Sequence, residues 1–385
     1  MDYFYKYPNN MPLTIVLQFL FRIANRLGFT NFYLIGVVFN AVCIHLTYVF
    51  VYLCCRCTCG ISRGFFALLL LYFCLAIQCH IGVFYTDTIT MPFAAFAMYM
   101  YLRLLKDGSW KGHLLAAVLL GLGMALGTKL KYSVVIVLVA ILLDLLIRLK
   151  IKHLLALVIS FLICFAAVNY GFNRFMYSNF LDETLAKDRS TPFTSWIMMG
   201  LNGDGSHNPN DNYLIWNLPT KEEKQQKAKE ELQNRFTSYS PLEFLAFLNQ
   251  KALYSFGSGN LDYGRNVGDS PRAQTVLVEC ISPGGRYFTA FDTFVQGYHV
   301  ALFFLVIAGA VLAAKQRSVL LFAPYLAIFG LFLFLLLWES GQRYLFNFYG
   351  LYILTATSGS TLLGRIPFLK PKIHTTKTTY TAEKP

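Results

Sequence analysis

Residues 132–173 read YSVVIVLVAILLDLLIRLKIKHLLALVISFLICFAAVNYGFN, which is two apolar segments separated by a short basic connection. Each segment, 132–149 and 153–173, is close to the roughly 20 residues that a helix needs to cross about 30 Å of hydrocarbon. Arg148, Lys150 and Lys152 mark the connection, and an excess of Lys and Arg is typical of the cytoplasmic side of a membrane protein. This stretch predicts a transmembrane helical hairpin.

The same pattern extends along the chain, which contains nine apolar segments in total: 31–53, 64–83, 88–105, 114–127, 132–149, 153–173, 298–314, 318–338 and 342–363. Every second connection is basic, as is the C-terminal tail, through Arg56, Arg63, Arg103, Lys106, Lys111, Arg148, Lys150, Lys152, Lys315, Arg317, Arg365, Lys370, Lys372, Lys377 and Lys384. The sequence therefore predicts an all-α polytopic protein of the cell (plasma) membrane, with about nine transmembrane helices and a cytoplasmic C-terminus.

The count of crossings has a consequence for the N-terminus. Nine crossings that end in the cytoplasm place residues 1–30 outside, and an outside N-terminus requires an earlier crossing or a signal sequence. Neither precedes residue 31. We therefore expect that the chain lacks a first transmembrane helix.

The composition agrees with a membrane protein, since 56% of the residues are hydrophobic and 14% are charged. The net charge of +13 could indicate nucleic acid, but the basic residues cluster at membrane exits, so the sequence predicts no nucleic-acid partner. Cys54, Cys55, Cys57 and Cys59 crowd one turn on the cytoplasmic side. Because no second ligand pair accompanies them, a structural or lipid-facing role is favoured over a metal site.

Five regions follow from these patterns. Residues 1–30 contain an amphipathic helix expected to lie in the membrane interface, because Thr14, Gln18, Arg22 and Arg26 form a narrow polar stripe on an apolar helix. The other regions are a six-helix membrane part (31–173), a large extracytoplasmic loop (174–297), a three-helix membrane part (298–363) and a basic cytoplasmic tail (364–385).

The large loop is predicted to be mainly helical after a Gly- and Asn-rich start. Residues 194–212 are expected to be irregular because of that composition. Thr220 with Glu223 has the spacing of a capping box, which predicts a polar helix after Thr220. Ser240-Pro241 predicts the start of a second, apolar helix.

Three acidic residues lie within or at the mouths of the crossings: Asp87, Asp144 and Glu339. A carboxylate at membrane depth is costly in free energy, so each of these residues needs a structural or functional explanation. Asp144 stands one turn before Arg148, which indicates a structural ion pair. Asp87 lies in the polar stretch Tyr85-Thr86-Asp87-Thr88; a functional role is favoured there over a helix cap, since either threonine could cap.

Cations stand at the predicted outer mouths as well. Glu339 and Arg343 are four residues apart, which suits either a helix-end salt bridge or a site where the guanidinium binds phosphate oxygens. Lys129 and Lys131 occupy an outer turn, against the positive-inside bias. Together with Tyr344, these cations predict a binding site for the phosphate headgroup of a lipid.

Several of these motifs resemble the bacterial GT-C membrane glycosyltransferases. They are Tyr7-Pro8-Asn9-Asn10 before the interfacial helix, Tyr85-Thr86-Asp87-Thr88, the lysine turn at 129–131, Met198-Met199-Gly200-Leu201-Asn202, and Glu339 followed by Arg343-Tyr344. In particular, they resemble the dolichyl-phosphate-mannose–protein mannosyltransferase-like proteins of Gram-positive bacteria. In that family an acidic residue in a first outer loop acts as general base. That loop and the first helix have no counterpart here, and Asp2 lacks the flanking pattern of the base.

The resemblance implies a GT-C-like fold and the transfer of a sugar from a polyprenyl-phosphate donor to a protein or glycan acceptor on the outer face. Lys129, Lys131, Arg343 and Tyr344 would bind the phosphate, and Glu339 would orient Arg343. Asp87 could orient the substrate or hold a divalent metal, and the general base is not identified. Two alternatives stay open, namely a transporter or flippase for a lipid-linked sugar or another anion, and a non-catalytic truncated homologue.

Overall fold

The computed structural model describes residues 2–106, 109–264, 275–315 and 322–360, and these residues form helices, turns and bends without strands. The N-terminal part contains α1 Asp2–Lys6 and α2 Met11–Arg26. The first membrane part contains α3 Phe32–Cys59, α4 Ile61–Phe73, α5 Leu75–Cys79, α6 Thr86–Ile89, α7 Met91–Lys106, α8 Trp110–Leu130, α9 Val135–Ile147 and α10 Ile151–Asn179. The helix predicted near the N-terminus is therefore present as α2, and its position in the membrane interface stays a prediction.

The large loop is helical through much of its described length, with α11 Glu183–Arg189, α12 Phe193–Met199, α13 Pro209–Trp216, α14 Lys221–Ser238, α15 Pro241–Phe256 and α16 Val276–Ile281. The expectation that residues 194–212 are irregular is wrong for α12 and α13. Asn208 caps α13 by accepting from the N–H of Asn210, and Pro209 occupies the first turn, where its missing N–H is no loss. The full capping box lies at Ser240 and Glu243, whereas Thr220 caps α14 alone.

The C-terminal membrane part contains α17 Phe288–Lys315, α18 Phe322–Leu337 and α19 Phe346–Gly359. Helix α19 is the buried centre of the bundle and packs against α3, α4, α7, α17 and α18. A fourteen-residue helix can hold this position because almost its whole surface faces other helices rather than lipid.

Each of the nine predicted apolar segments is mainly helical where the structure describes it. Within the described residues, five helices are long and apolar enough to cross a membrane: Phe32–Cys59, Thr86–Lys106, Trp110–Leu130, Ile151–Asn179 and Phe288–Lys315. Two shorter apolar helices are Tyr132–Ile147 and Phe322–Leu337. Residues 318–321 and 361–363 of the predicted segments lie outside the described residues.

The remaining segment is broken, since Ile61–Phe73 and Leu75–Gly82 meet at an angle of 55°. Gly82 lies beside the start of α3, where its carbonyl accepts a hydrogen bond from Tyr33 at 3.2 Å. Arg63, at the other end of the broken helix, donates to the carbonyl of Thr357 near the end of α19. The two pieces together therefore cover the length of the bundle, as one crossing with a bend.

The two ends of the bundle differ in charge. The basic connections between α3 and α4, α7 and α8, and α9 and α10 share one end, which we call the basic side. The large loop packs against the other end, the loop side. There the Lys251 ammonium group donates to the carbonyls of Leu336 and Trp338, at the C-terminus of α18. This arrangement agrees with the alternation of charge in the sequence, and which side faces the cytoplasm stays a prediction.

Candidate functional site

Asp87 lies at the loop side, in the first turn of α6, with its side chain 7% exposed. The N-cap of α6 is Tyr85, so the helix-cap interpretation of Asp87 is wrong. One carboxylate oxygen pairs with the Lys131 ammonium group, and the other lies 3.9 Å from Nε of Arg343. Three separate segments of the chain thus bring one anion and two cations together.

Arg343 and Tyr344 stand on a short 3-10 helix, Gln342–Leu345, between α18 and α19. Helix α18 ends at Leu337, so Glu339 and Arg343 do not share an α-helical turn. The Arg343 guanidinium lies 5.8 Å from the ring centre of Tyr85 and 5.6 Å from that of Tyr344. Aromatic faces on both neighbours attract the cation and limit its movement.

Glu339 is buried beside these groups. One of its carboxylate oxygens accepts a hydrogen bond from the Tyr344 hydroxyl at 3.3 Å. The Tyr344 ring in turn lies 4.9 Å from the ammonium nitrogen of Lys131. Asp87, Lys131, Glu339, Arg343 and Tyr344 therefore form one charged cluster, which we call the mouth cluster.

A cavity of about 190 Å³ lies next to the mouth cluster. Its membrane wall consists of Glu339, Ser340, Gly341, Arg343 and Tyr344, and its loop wall of Ser206, His207, Tyr254 and Asp262. His207 and Asp262 could not be predicted from the sequence, because only the folded loop brings them over residues 339–344. The folded backbone does mark this turn as unusual, because Leu261 and Asp262 have positive φ angles of 52° and 63°.

Lys251 holds the loop wall in place. Its ammonium group is fully buried and donates to three carbonyls, of Gly200 at 2.6 Å, Leu336 at 2.9 Å and Trp338 at 2.8 Å. Burial lowers the pKa of Lys251 to about 8. The N–H of Ser340 also donates to the carbonyl of Gly205 at 2.7 Å. These hydrogen bonds join the large loop directly to residues 336–340, which fixes the distance between the two walls of the cavity.

Lys129 does not join the mouth cluster, although the sequence grouped it with Lys131. Its ammonium group donates to the side-chain carbonyls of Asn169 at 2.9 Å and Asn173 at 2.8 Å, both on α10. The two lysines separate because Lys129 is still helical while Lys131, beyond the end of α8, has extended backbone. Asp144 forms the predicted ion pair with Arg148 and also accepts a hydrogen bond from Tyr101.

The surroundings of Asp87 do not suit a divalent metal, because Lys131 and Arg343 already place positive charge beside both oxygens. Among the described residues, no three His, Cys, Asp or Glu side chains form a group that could hold a metal ion. The cysteines at the end of α3 point to different partners. Cys54 contacts the carbonyl of Ala95, and Cys55 contacts the hydroxyl of Thr357.

A family profile described as conserved hypothetical integral membrane protein matches residues 1–361. The chain belongs to this family. It is therefore an integral membrane protein, as its apolar helices indicate. No curated protein matches its sequence.

Among solved structures, the chain is similar to the crystal structure of ArnT from Cupriavidus metallidurans bound to undecaprenyl phosphate. The sequence identity is 13% and the TM-score is 0.33. The match covers 89% of this chain and 65% of that chain, so this family member spans about two thirds of the length of ArnT. Similarity at this level carries no argument about the site, and its chemistry has to follow from the residues described above.

Proposed function

We propose that this protein is a membrane glycosyltransferase that moves a sugar from a polyprenyl-phosphate donor to a hydroxyl of a protein or glycan acceptor, at the outer face of the membrane. The observation that carries the proposal is the cavity at the loop side, where an arginine and two carboxylates line one space beside the membrane helices. Such a reaction needs a cation for the leaving phosphate and a base for the acceptor hydroxyl.

Arg343 is the cation best placed for the phosphate. Its side chain is 38% exposed and lines the cavity, and its contact with Asp87, at 3.9 Å, is loose. A guanidinium has five N–H donors in a planar fork and binds two phosphate oxygens at once. Lys131 is 13% exposed and paired with Asp87, so its charge stabilises the buried carboxylate of the mouth cluster.

The position of the site suits a lipid-borne donor. The mouth cluster lies where α6, α8 and the start of α19 meet the large loop, so a phosphate held by Arg343 stays at the membrane surface while its polyprenyl chain extends into lipid. The resemblance of the motifs around Asp87 and Arg343 to the GT-C glycosyltransferases supports the same reaction. Stabilisation of the negative charge that develops on the leaving phosphate, by a preorganised site, would supply most of the rate enhancement.

Transport of a lipid-linked sugar or another anion is the second candidate, and the bend at Cys74 favours it, because transporters often bind their substrates at broken helices. In those proteins the backbone groups at the break face the substrate. Here the carbonyl of Leu70 accepts from Tyr298 at 2.8 Å and that of Leu71 from Tyr48 at 3.3 Å. Both carbonyls are used within the protein, which favours the transferase.

The test uses the full chain in lipid nanodiscs with a radiolabelled polyprenyl-phosphate mannose as donor. A threonine-containing peptide and a methyl mannoside serve as the protein and glycan acceptors. We expect release of polyprenyl phosphate together with a labelled product. Movement of intact donor across the bilayer of a proteoliposome without cleavage would support the transporter, and no turnover with either acceptor would contradict the proposed reaction.

A further inference from the structure

The loop wall of the cavity carries a carboxylate that the proposed reaction has not yet used. Asp262 lines the same cavity as Arg343 but belongs to a turn of the large loop, whereas Arg343 belongs to the membrane wall. An in-line displacement at a sugar carbon needs the leaving phosphate and the attacking hydroxyl on opposite sides of the ring. A cavity with an arginine on its membrane wall and a carboxylate on its loop wall has a group for each role.

The backbone that presents Asp262 is unfavourable and is held by its surroundings. Leu261 and Asp262 both lie in the left-handed region, which residues other than glycine rarely adopt. The Asn260 side chain accepts from the N–H of Asp262 at 2.9 Å, and Leu261 is fully buried. Strain of this kind persists only where the surrounding structure fixes it, and it concentrates at functional sites.

Helix α17 supplies that support. The Gln296 side chain donates to the carbonyl of Gly257 at 2.9 Å and accepts from the N–H of Gly259 at 2.6 Å. The Tyr263 hydroxyl donates to Asp292 at 2.9 Å. The Gln296 amide and the buried Tyr263 phenol thus fix the turn on both sides of Asp262, so its position is set by the fold.

Glu339, the other carboxylate of the cavity, is less suited to take a proton. It is buried, accepts from Tyr344, and lies within electrostatic range of both Lys131 and Arg343. Neighbouring cations stabilise the ionised form of a carboxylate and weaken it as a base. Asp262 is half-buried and lines the cavity from the loop wall.

We infer that Asp262 is the general base of the transfer, an assignment that rests on the proposed function. The acceptor oxygen attacks the anomeric carbon and forms the new C–O bond, while its proton passes to the Asp262 carboxylate. The bond between that carbon and the phosphate oxygen breaks, and polyprenyl phosphate leaves with the electron pair toward Arg343. No oxidant, reductant or metal is required.

The test compares Asp262→Asn, Asp262→Glu and Glu339→Gln in the nanodisc assay, with Asp188→Asn on α11 as a matched control in the same loop. Loss of a general base lowers the rate by about 10²–10⁴-fold. We expect that loss for Asp262→Asn with a hydroxyl acceptor, a smaller loss for Asp262→Glu, and wild-type rates for Asp188→Asn. Azide needs no deprotonation, so it should restore donor cleavage by Asp262→Asn, with mannosyl azide detected by mass spectrometry.

The outcomes distinguish a failure of the proposed function from a failure of the assignment of Asp262 as the base. An inactive wild-type chain overturns the proposed function itself. An active wild type whose Asp262→Asn variant keeps its rate, or loses cleavage with azide as well, overturns the assignment of the base. If azide instead rescues Glu339→Gln alone, Glu339 is the base and Asp262 is not.

Discussion

Arg343 differs from the two lysines of the predicted phosphate site in how its charge is held. Lys131 pairs with a buried carboxylate, Lys129 with two asparagines on α10, and Arg343 faces the cavity. Loss of one donor to developing charge typically costs about 2.7–4 kcal/mol, or on the order of a hundred- to a thousandfold in rate. The structure thus ranks three cations that the sequence treated as equal.

The first prediction follows from that ranking. Arg343→Ala should lower the rate of polyprenyl-phosphate release by roughly 10²–10³-fold. Arg343→Lys should lose almost as much, because a point charge does not reproduce a bidentate grip. Lys129→Gln should lose far less, and Lys150→Ala, on the basic side, should keep near-normal activity. The ranking is wrong if Lys129→Gln costs as much as Arg343→Ala.

For individual residues, much of the candidate site could be predicted from the sequence, but the side-chain pairings within it could not. Asp87, Glu339 and Arg343 stood out because charged residues are rare among apolar segments. The pairing of Asp87 with Lys131 could not be predicted, because it depends on where α6 and the end of α8 meet. His207 and Asp262 lie in a hydrophilic loop, where polar residues are ordinary and carry no signal before the chain folds.

Helix α15 contributes to the join between loop and bundle through its single buried lysine, Lys251. Lys251→Met keeps the length of the stem but leaves the carbonyls of Gly200, Leu336 and Trp338 without this donor. Each buried group left unsatisfied costs about 1–3 kcal/mol. We expect a lower melting temperature in detergent and faster proteolysis of the loop, with Lys229→Met on the exposed face of α14 as control. An unchanged melting temperature would show that other contacts hold the loop.

Helices α8 and α10 approach each other closely at Gly121. A Cβ at this position would lie 2.9 Å from the backbone nitrogen of Phe161 and 2.9 Å from the carbonyl carbon of Ser160. Because both atoms belong to the backbone, a methyl group forces the helices apart, and overpacking of this kind costs about 1–3 kcal/mol. Small residues allow such contacts between membrane helices.

The matching prediction uses a second glycine in the same helix pair. Gly121→Ala should lower the thermal stability of the detergent-solubilised protein, whereas Gly171→Ala on α10 should change it little, since a Cβ there meets no atom within 4 Å. The apolar period of α8 and α10 predicted two adjacent crossings. It did not predict which glycine lies at their contact, because apolar residues face both lipid and protein in a membrane helix. Equal effects of the two substitutions would contradict the packing described here.

For the molecule as a whole, hydropathy and charge were sufficient to predict the fold class. Lipid provides no partners for backbone N–H and C=O groups, so an apolar chain of this length has helices as its main option. The same reasoning could not foresee the bend at Cys74, since the tyrosines that bind its carbonyls come from α3 and α17. It also could not foresee that the short helix α19 would form the centre.

Orientation in the membrane is the property on which the proposed outer-face reaction depends. Ser238 is exposed on α14 at the loop side, and Ser109 is exposed at the start of α8 on the basic side. Because Lys and Arg accumulate in cytoplasmic connections, the basic side should face the cytoplasm. A cysteine at position 238 should therefore react in intact cells with a membrane-impermeant maleimide, and one at position 109 should react after permeabilisation alone.

The adduct is located by mass spectrometry of the labelled peptide, so the native cysteines stay in place and Cys280, in the large loop, provides a second probe of the loop side. Labelling at 238 together with protection at 109 supports a cavity that opens outward, where a lipid-linked donor meets an extracytoplasmic acceptor. The reverse pattern would place Arg343 and Asp262 in the cytoplasm. The donor would then have to be cleaved on the cytoplasmic side, and an outer-face transfer by this chain would be excluded.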